Sequence, residues 1–120
     1  MTMIPEYDRD IIEQAFYLPM LHSILERDRQ LFENGNFKLK EPYLILLDEA
    51  IKTVLVDLKE VKAAMRKGQM KVEEVARDEV FTEYLFIYKG YEERHNYFNP
   101  RLRNKVQELM EYYLYKRHKD

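Results

Sequence analysis

The sequence predicts an all-α fold, an up-and-down bundle of four main helices in a single domain spanning residues 1–120. Three observations predict it. The chain has only three glycines and four prolines in 120 residues, too few for a turn-rich β fold. Apolar residues recur at helical spacing along most of its length. Between Leu44 and Met65 they form an unbroken heptad seam.

The first helix is expected from about Asp10 to Glu33. Asp10 and Glu13 have the spacing of a capping box, with Asp10 in place of Ser or Thr. Ile11, Ile12, Ala15, Phe16, Leu21, Ile24, Leu25, Leu31 and Phe32 fall largely on one stripe. Pro19 interrupts it, because proline removes a backbone donor and crowds the preceding turn. A kink near Phe16–Leu18, or two short helices, is expected there. Asn34-Gly35-Asn36 then stops the helix.

The second helix carries the seam. Pro42 suits the first turn. Leu44, Leu47, Ile51, Val54, Leu58, Val61 and Met65 alternate spacings of three and four, and Gly68 closes the helix. The intervening Asp48, Glu49, Lys52, Asp57, Lys59, Glu60, Lys62 and Arg66 read as a solvated face. This reads as the central, most buried helix of the bundle rather than a strand of a dimeric coiled coil.

Residues 69–77 read equally as a helical turn, a short extended piece near 70–76 or an exposed connection. Asp78 resembles an N-cap, and Phe81, Tyr84, Leu85 and Tyr88 continue at helical spacing, so a third helix is expected from Asp78 to about His95. Gly90 inside it would mark a close helix crossing or be incidental. Asn99 and Pro100 open the fourth helix as N-cap and first helical residue. Leu102, Val106, Leu109, Met110 and Tyr113 form its core stripe, and the basic end Lys116–Lys119 complements the helix dipole.

Composition narrows the function. There is no cysteine, which excludes disulfides, zinc–thiolate sites and cysteine nucleophiles. The longest apolar runs, such as Tyr43–Leu47, are far too short to cross a bilayer. The first ten residues are acidic and lack the apolar core of a signal peptide, so a cytoplasmic protein is expected. The net charge of −2 hides an asymmetry: from Arg94 onward it is +4, leaving −6 on residues 1–93. Ten of the sixteen Tyr and Phe lie at or beyond Phe81. The last third is therefore basic and aromatic, and any binding surface is sought there first.

The stretch YKGYEERHNYFNP, Tyr88 to Pro100, is the most specialised. On a helix, Glu92 and His95 would share one face, the step used by carboxylate-bridged di-metal bundles. Such bundles need it twice, and here it occurs once. His22 could join Glu92 and His95 only if two helices faced each other at the right height. No metal and no cofactor are therefore expected, and the stretch reads as the corner of a helical hairpin. The single serine, Ser23, adjoins His22 and points away from it around the helix. No glycine belongs to a phosphate-binding loop. The sequence argues against an enzyme.

Two binding readings remain. In the favoured one, the protein is a non-enzymatic interaction or oligomerising module. Tyr88, Tyr91, Arg94, Tyr97, Phe98, Arg101, Arg103 and Lys105 form its contact face, most naturally in a homodimer or with another protein. Ten tyrosines in a small bundle are hard to bury completely, and each hydroxyl needs a polar partner. In the other reading, Arg94, Arg101, Arg103 and Lys105 bind nucleic acid while tyrosines stack on bases. The acidic chain and the glutamates Glu108 and Glu111 weigh against it.

The segments IPEYDRDIIEQAFYLPM, FKLKEPYL and DEVFTEYLFIYKGYEERHNYFNPRLRNKVQELMEYY resemble the YhjD-like family of small proteins from Gram-positive spore formers. The resemblance spans nearly the full chain. It implies an all-helical bacterial cytosolic protein, and it implies no activity, cofactor or catalytic residue.

Overall fold

A computed structural model describes residues 4–117. The basic end beyond Arg117 lies outside the described residues. Two long helices come first, α1 (Glu6–Asn34) and α2 (Glu41–Lys67). Three strands follow, β1 (Met70–Arg77), β2 (Phe81–Tyr88) and β3 (Tyr91–Phe98). Then come α3 (Asn99–Glu111) and a π-helical turn, Tyr112–Lys116. The strands form an antiparallel meander in the order β1-β2-β3. The fold is α+β, not the all-α four-helix bundle that the spacing predicts.

The correction lies in residues 70–98. Phe81–Tyr88 reads FTEYLFIY, rich in the aromatic and branched residues that favour strands. The helical reading used positions 81, 84, 85 and 88. The alternation of Thr82, Tyr84, Phe86 and Tyr88 is the stronger pattern, and all four are buried on one face of β2. Gly90 marks no helix crossing. Lys89 and Gly90 have φ of 50° and 90°, and together they make the two-residue turn between β2 and β3. Asp78 does cap, but it caps a turn. Its Oδ1 accepts from the backbone N–H groups of Val80 and Phe81 at 2.8 and 2.7 Å, which holds its carboxyl below the usual carboxylate range. Residues 70–77, open to three readings in the sequence, form β1, with a bulge between Glu74 and Ala76.

The helical hairpin is closer to expectation. Every seam residue from Leu44 to Met65 is buried. Helix α1 runs unbroken through Pro19 rather than as two short helices, and it begins at Glu6, not Asp10. Pro5 precedes it, and the Pro5 carbonyl accepts from the Arg9 N–H at 2.9 Å. Glu6 and Asp8 therefore sit in the first turn, where negative charge suits the dipole, and Asp10 is interior. At the far end, Gly35 leaves room for Phe37. A Cβ there would lie 2.8 Å from the Phe37 ring. That ring stacks on Phe32 at 4.9 Å, and Lys40 Nζ donates to the Glu33 carbonyl at 2.8 Å. Arg29 pairs with Glu33 on its own helix and with Asp48 across the hairpin.

The core lies where the sheet meets the hairpin. Ile12, Leu18, Leu21, Leu25, Val54 and Phe86 are fully buried. Phe16 stacks on Tyr84 at 4.0 Å and meets Tyr97 edge-on at 5.2 Å. Helix α3 follows β3 without a loop. Asn99, the expected N-cap, is itself helical and makes no cap bond. Its amide Nδ2 donates to the Asp78 carbonyl at 2.9 Å, and its Oδ1 accepts from the Thr82 hydroxyl at 2.7 Å. Asn99 thus ties the β1–β2 turn to the start of α3.

Candidate functional site

Strand geometry separates the two residues that a helix would have placed on one face. Side chains alternate faces along a strand, so Glu92 and His95 point to opposite sides of β3. Glu92 is exposed. His95 lies on the inner face, its ring 4.4 Å from Phe86 and its Nε2 3.0 Å from Glu93 Oε1. His22 sits on α1 beside Glu26, 3.4 Å away. Among the described residues, no three His, Asp or Glu converge as a metal site would need.

The expected contact residues are distributed rather than gathered. Tyr88 and Tyr97 point inward, donating their hydroxyl protons to Asp8 at 2.6 Å and Glu13 at 2.7 Å. Tyr91 is exposed beside the hairpin turn. Arg94 lies on the outer face of the sheet, 3.3 Å from Glu83. Arg101 and Lys105, one turn apart on α3, face a cleft together with Tyr97 and Phe98. Arg103 lies on another face of α3 and lines a separate groove against α1. The basic cluster of the sequence is therefore divided among three surfaces.

That cleft, of ≈ 680 Å³, takes its walls mainly from three elements. Helix α1 contributes Arg9, Glu13 and Tyr17, strand β3 contributes His95 to Phe98, and α3 contributes Arg101, Asn104, Lys105 and Glu108. Burial, and then the Glu13 carboxylate, push the Tyr17 phenol up to about 12, against a smaller opposing effect of Arg101. Tyr97 is raised further, by burial first and by its bond to Glu13 second, with Arg9 pulling the other way. Both phenols keep their protons at neutral pH. They can donate hydrogen bonds, but they are poor bases and poor nucleophiles.

Sequence reasoning missed the α1 wall. Arg9, Glu13 and Tyr17 recur every four residues, which places them on one stripe of the helix. That polar stripe was the available signal, but only the folded sheet shows what it faces. The separate groove, of ≈ 570 Å³, is more apolar, with Met20, Ile24, Leu102, Val106 and Met110 on its walls and Arg77 and Arg103 beside them.

A family model described as "YhjD protein" matches residues 3–118. The chain belongs to the YhjD family. "Uncharacterized protein YhjD" of Bacillus subtilis (strain 168) is 45% identical over 115 residues, which cover 96% of this chain and 96% of that protein. No solved structure matches the chain. The YhjD match takes in α1, β3 and α3, so all three walls of the cleft lie inside the family region. No helix among the described residues is long and apolar enough to cross a membrane.

Proposed function

We propose that the protein is a non-enzymatic cytoplasmic interaction module that self-associates as a homodimer through the tip of the α1–α2 hairpin. The observation that carries this reading is the apolar surface left bare there. Leu31 is 62% exposed, Leu39 73% and Ile45 56%, and Phe37, Tyr43 and Leu46 are also exposed. Apolar surface gathered at one end of a molecule is characteristic of contact sites.

Charge favours a second copy as the occupant. Over residues 29–48, Arg29, Lys38 and Lys40 balance Glu33, Glu41 and Asp48, so the tip is neutral on a chain of net charge −2. Arg29 is already held by Glu33 and Asp48. Two identical tips can therefore meet without like-charge repulsion. The aromatic β3–α3 corner, the contact face expected from the sequence, has less to offer, because the hydroxyls of Tyr88, Tyr97 and Tyr113 are bonded within the chain.

Light scattering over a range of concentrations tests the proposal. A dimer is expected whose mass barely changes with salt, and the double variant Leu39→Glu/Leu46→Glu should be monomeric. A wild-type monomer at high micromolar concentration would reject it. A monomer that retards RNA in a salt-sensitive way would replace it with the nucleic-acid reading.

A further inference from the structure

We infer that the cleft between α1, β3 and α3 binds a small phosphate-bearing ligand with a planar ring, the chemistry of a mononucleotide. The site lies away from the hairpin tip, so it stands or falls apart from self-association.

The anion half rests on three cations. Arg101 and Lys105 project from α3 one turn apart, both exposed, and neither forms an ion pair with a described residue. Arg9 adds a guanidinium from the α1 side, where its side chain also hydrogen-bonds Tyr97. Two carboxylates, Glu13 and Glu108, stand against these three cations and leave the lining at +1. Glu13 accepts the Tyr97 hydroxyl proton at 2.7 Å, and Glu108 lies a turn beyond Lys105 along α3. Asn104, on the same helix as Arg101 and Lys105, supplies an amide donor. A phosphate takes several such donors at once, and guanidinium and ammonium groups are its strongest partners.

The ring half rests on two aromatics. Phe81 and Phe98 pair across β2 and β3 with centroids 5.8 Å apart, and each is 44% exposed. Both line the cleft that Arg101 and Lys105 line, reaching it from the outer face of the sheet, the face that also carries Arg94. A planar ring stacked there would cover apolar surface that the fold leaves bare. The volume of ≈ 680 Å³ lies within the usual range for small-molecule sites. The α1–α3 groove lacks this combination: its walls are mostly apolar, and Arg77 beside it is already held by Glu74 at 2.7 Å.

Adenosine 5′-monophosphate, adenosine and inorganic phosphate, titrated separately into isotope-labelled full-length protein and followed by NMR, test the inference. The nucleotide should shift backbone signals of Phe98, Arg101 and Lys105 saturably, and adenosine or phosphate alone should bind more weakly. Arg101→Glu/Lys105→Glu should weaken nucleotide binding by at least about tenfold, the scale of one lost charge-assisted hydrogen bond. Phe98→Ala should weaken the nucleotide and leave phosphate unchanged, while Arg103→Glu should leave both unchanged. A dispersed spectrum from each variant shows that it folds. The absence of saturable shifts at millimolar nucleotide overturns the inference. So does undiminished binding by the folded double variant, or adenosine or phosphate binding as tightly as the nucleotide.

Discussion

Tyr113 donates its hydroxyl proton to Asp57 Oδ2 across 2.6 Å, joining the π-helical turn at the end of the chain to the middle of α2. The π turn closes with the Arg117 N–H on the Tyr112 carbonyl at 2.8 Å. Tyr113→Phe keeps the ring and removes the bond. Because the acceptor is a carboxylate, the loss should be about 1.5–3 kcal/mol. Urea unfolding measures it as a lower midpoint at unchanged slope.

Alkali should unfold the protein through its buried phenols. Burial is the main cause that raises Tyr17, Tyr97 and Tyr113 above the ordinary tyrosine value of 10.0. A group raised on folding gives stability that is complete below its unfolded value and lost as pH climbs through its folded one. For Tyr17 that window runs from 10.0 to about 12. Absorbance at the phenolate band should show exposed tyrosines ionising first and the buried set later, together with loss of circular dichroism. If all ten ionised together near pH 10 with the fold intact, the buried assignments would be wrong.

Gly90→Ala tests the hairpin turn. A Cβ at Gly90 would meet nothing within 4 Å, so any cost comes from its φ of +90°. An alanine held in left-handed geometry should lose about 1–2 kcal/mol, and Gly90→Asn should lose less. A helix interior would give the opposite result, with alanine stabilising. Thermal melts of the two variants are enough to tell.

Asn99 separates a cap from a tie. A helix cap would accept aspartate with little change, since aspartate caps as well as asparagine. The tie to the Asp78 carbonyl needs an amide donor, which aspartate lacks. Asn99→Asp should therefore be destabilising. Asn99→Ala should cost about 1–3 kcal/mol, because it also strands the Thr82 hydroxyl, whose residue is only 1% exposed. Chemical denaturation of both variants checks this, and full tolerance of aspartate would restore the cap.

The α1–α2 hairpin was legible because its signals are local. The Leu44–Met65 seam repeats often enough to exclude a strand, and Gly35 ends α1 within a residue of expectation. The meander was misread because Phe81–Tyr88 satisfies two periods at once. Its apolar residues occupy both faces of the strand, and Leu85 is buried on the outer face between its partners Glu73 and Arg94. That filled the gaps a clean alternation would have left, and Gly90 looked like an interruption rather than a turn. The cleft was half legible. Tyr97, Phe98, Arg101 and Lys105 stood out by composition, but Arg9, Glu13 and Tyr17 lie about eighty residues or more earlier, and only the strand register brings them opposite.

The stack of Phe16 on Tyr84 has a consequence for biosynthesis. At the usual pace of about 5–20 residues per second, the ribosome makes Phe16 several seconds before Tyr84 and Tyr97. During that interval α1 can pair with α2, but its Phe16 side has no cover. A chain arrested just before Phe81 should bind an apolar dye strongly and precipitate readily. One that extends through Tyr113, and so also carries the core residues Leu102 and Val106, should do neither. The meander is thus the late clasp of a nascent hairpin.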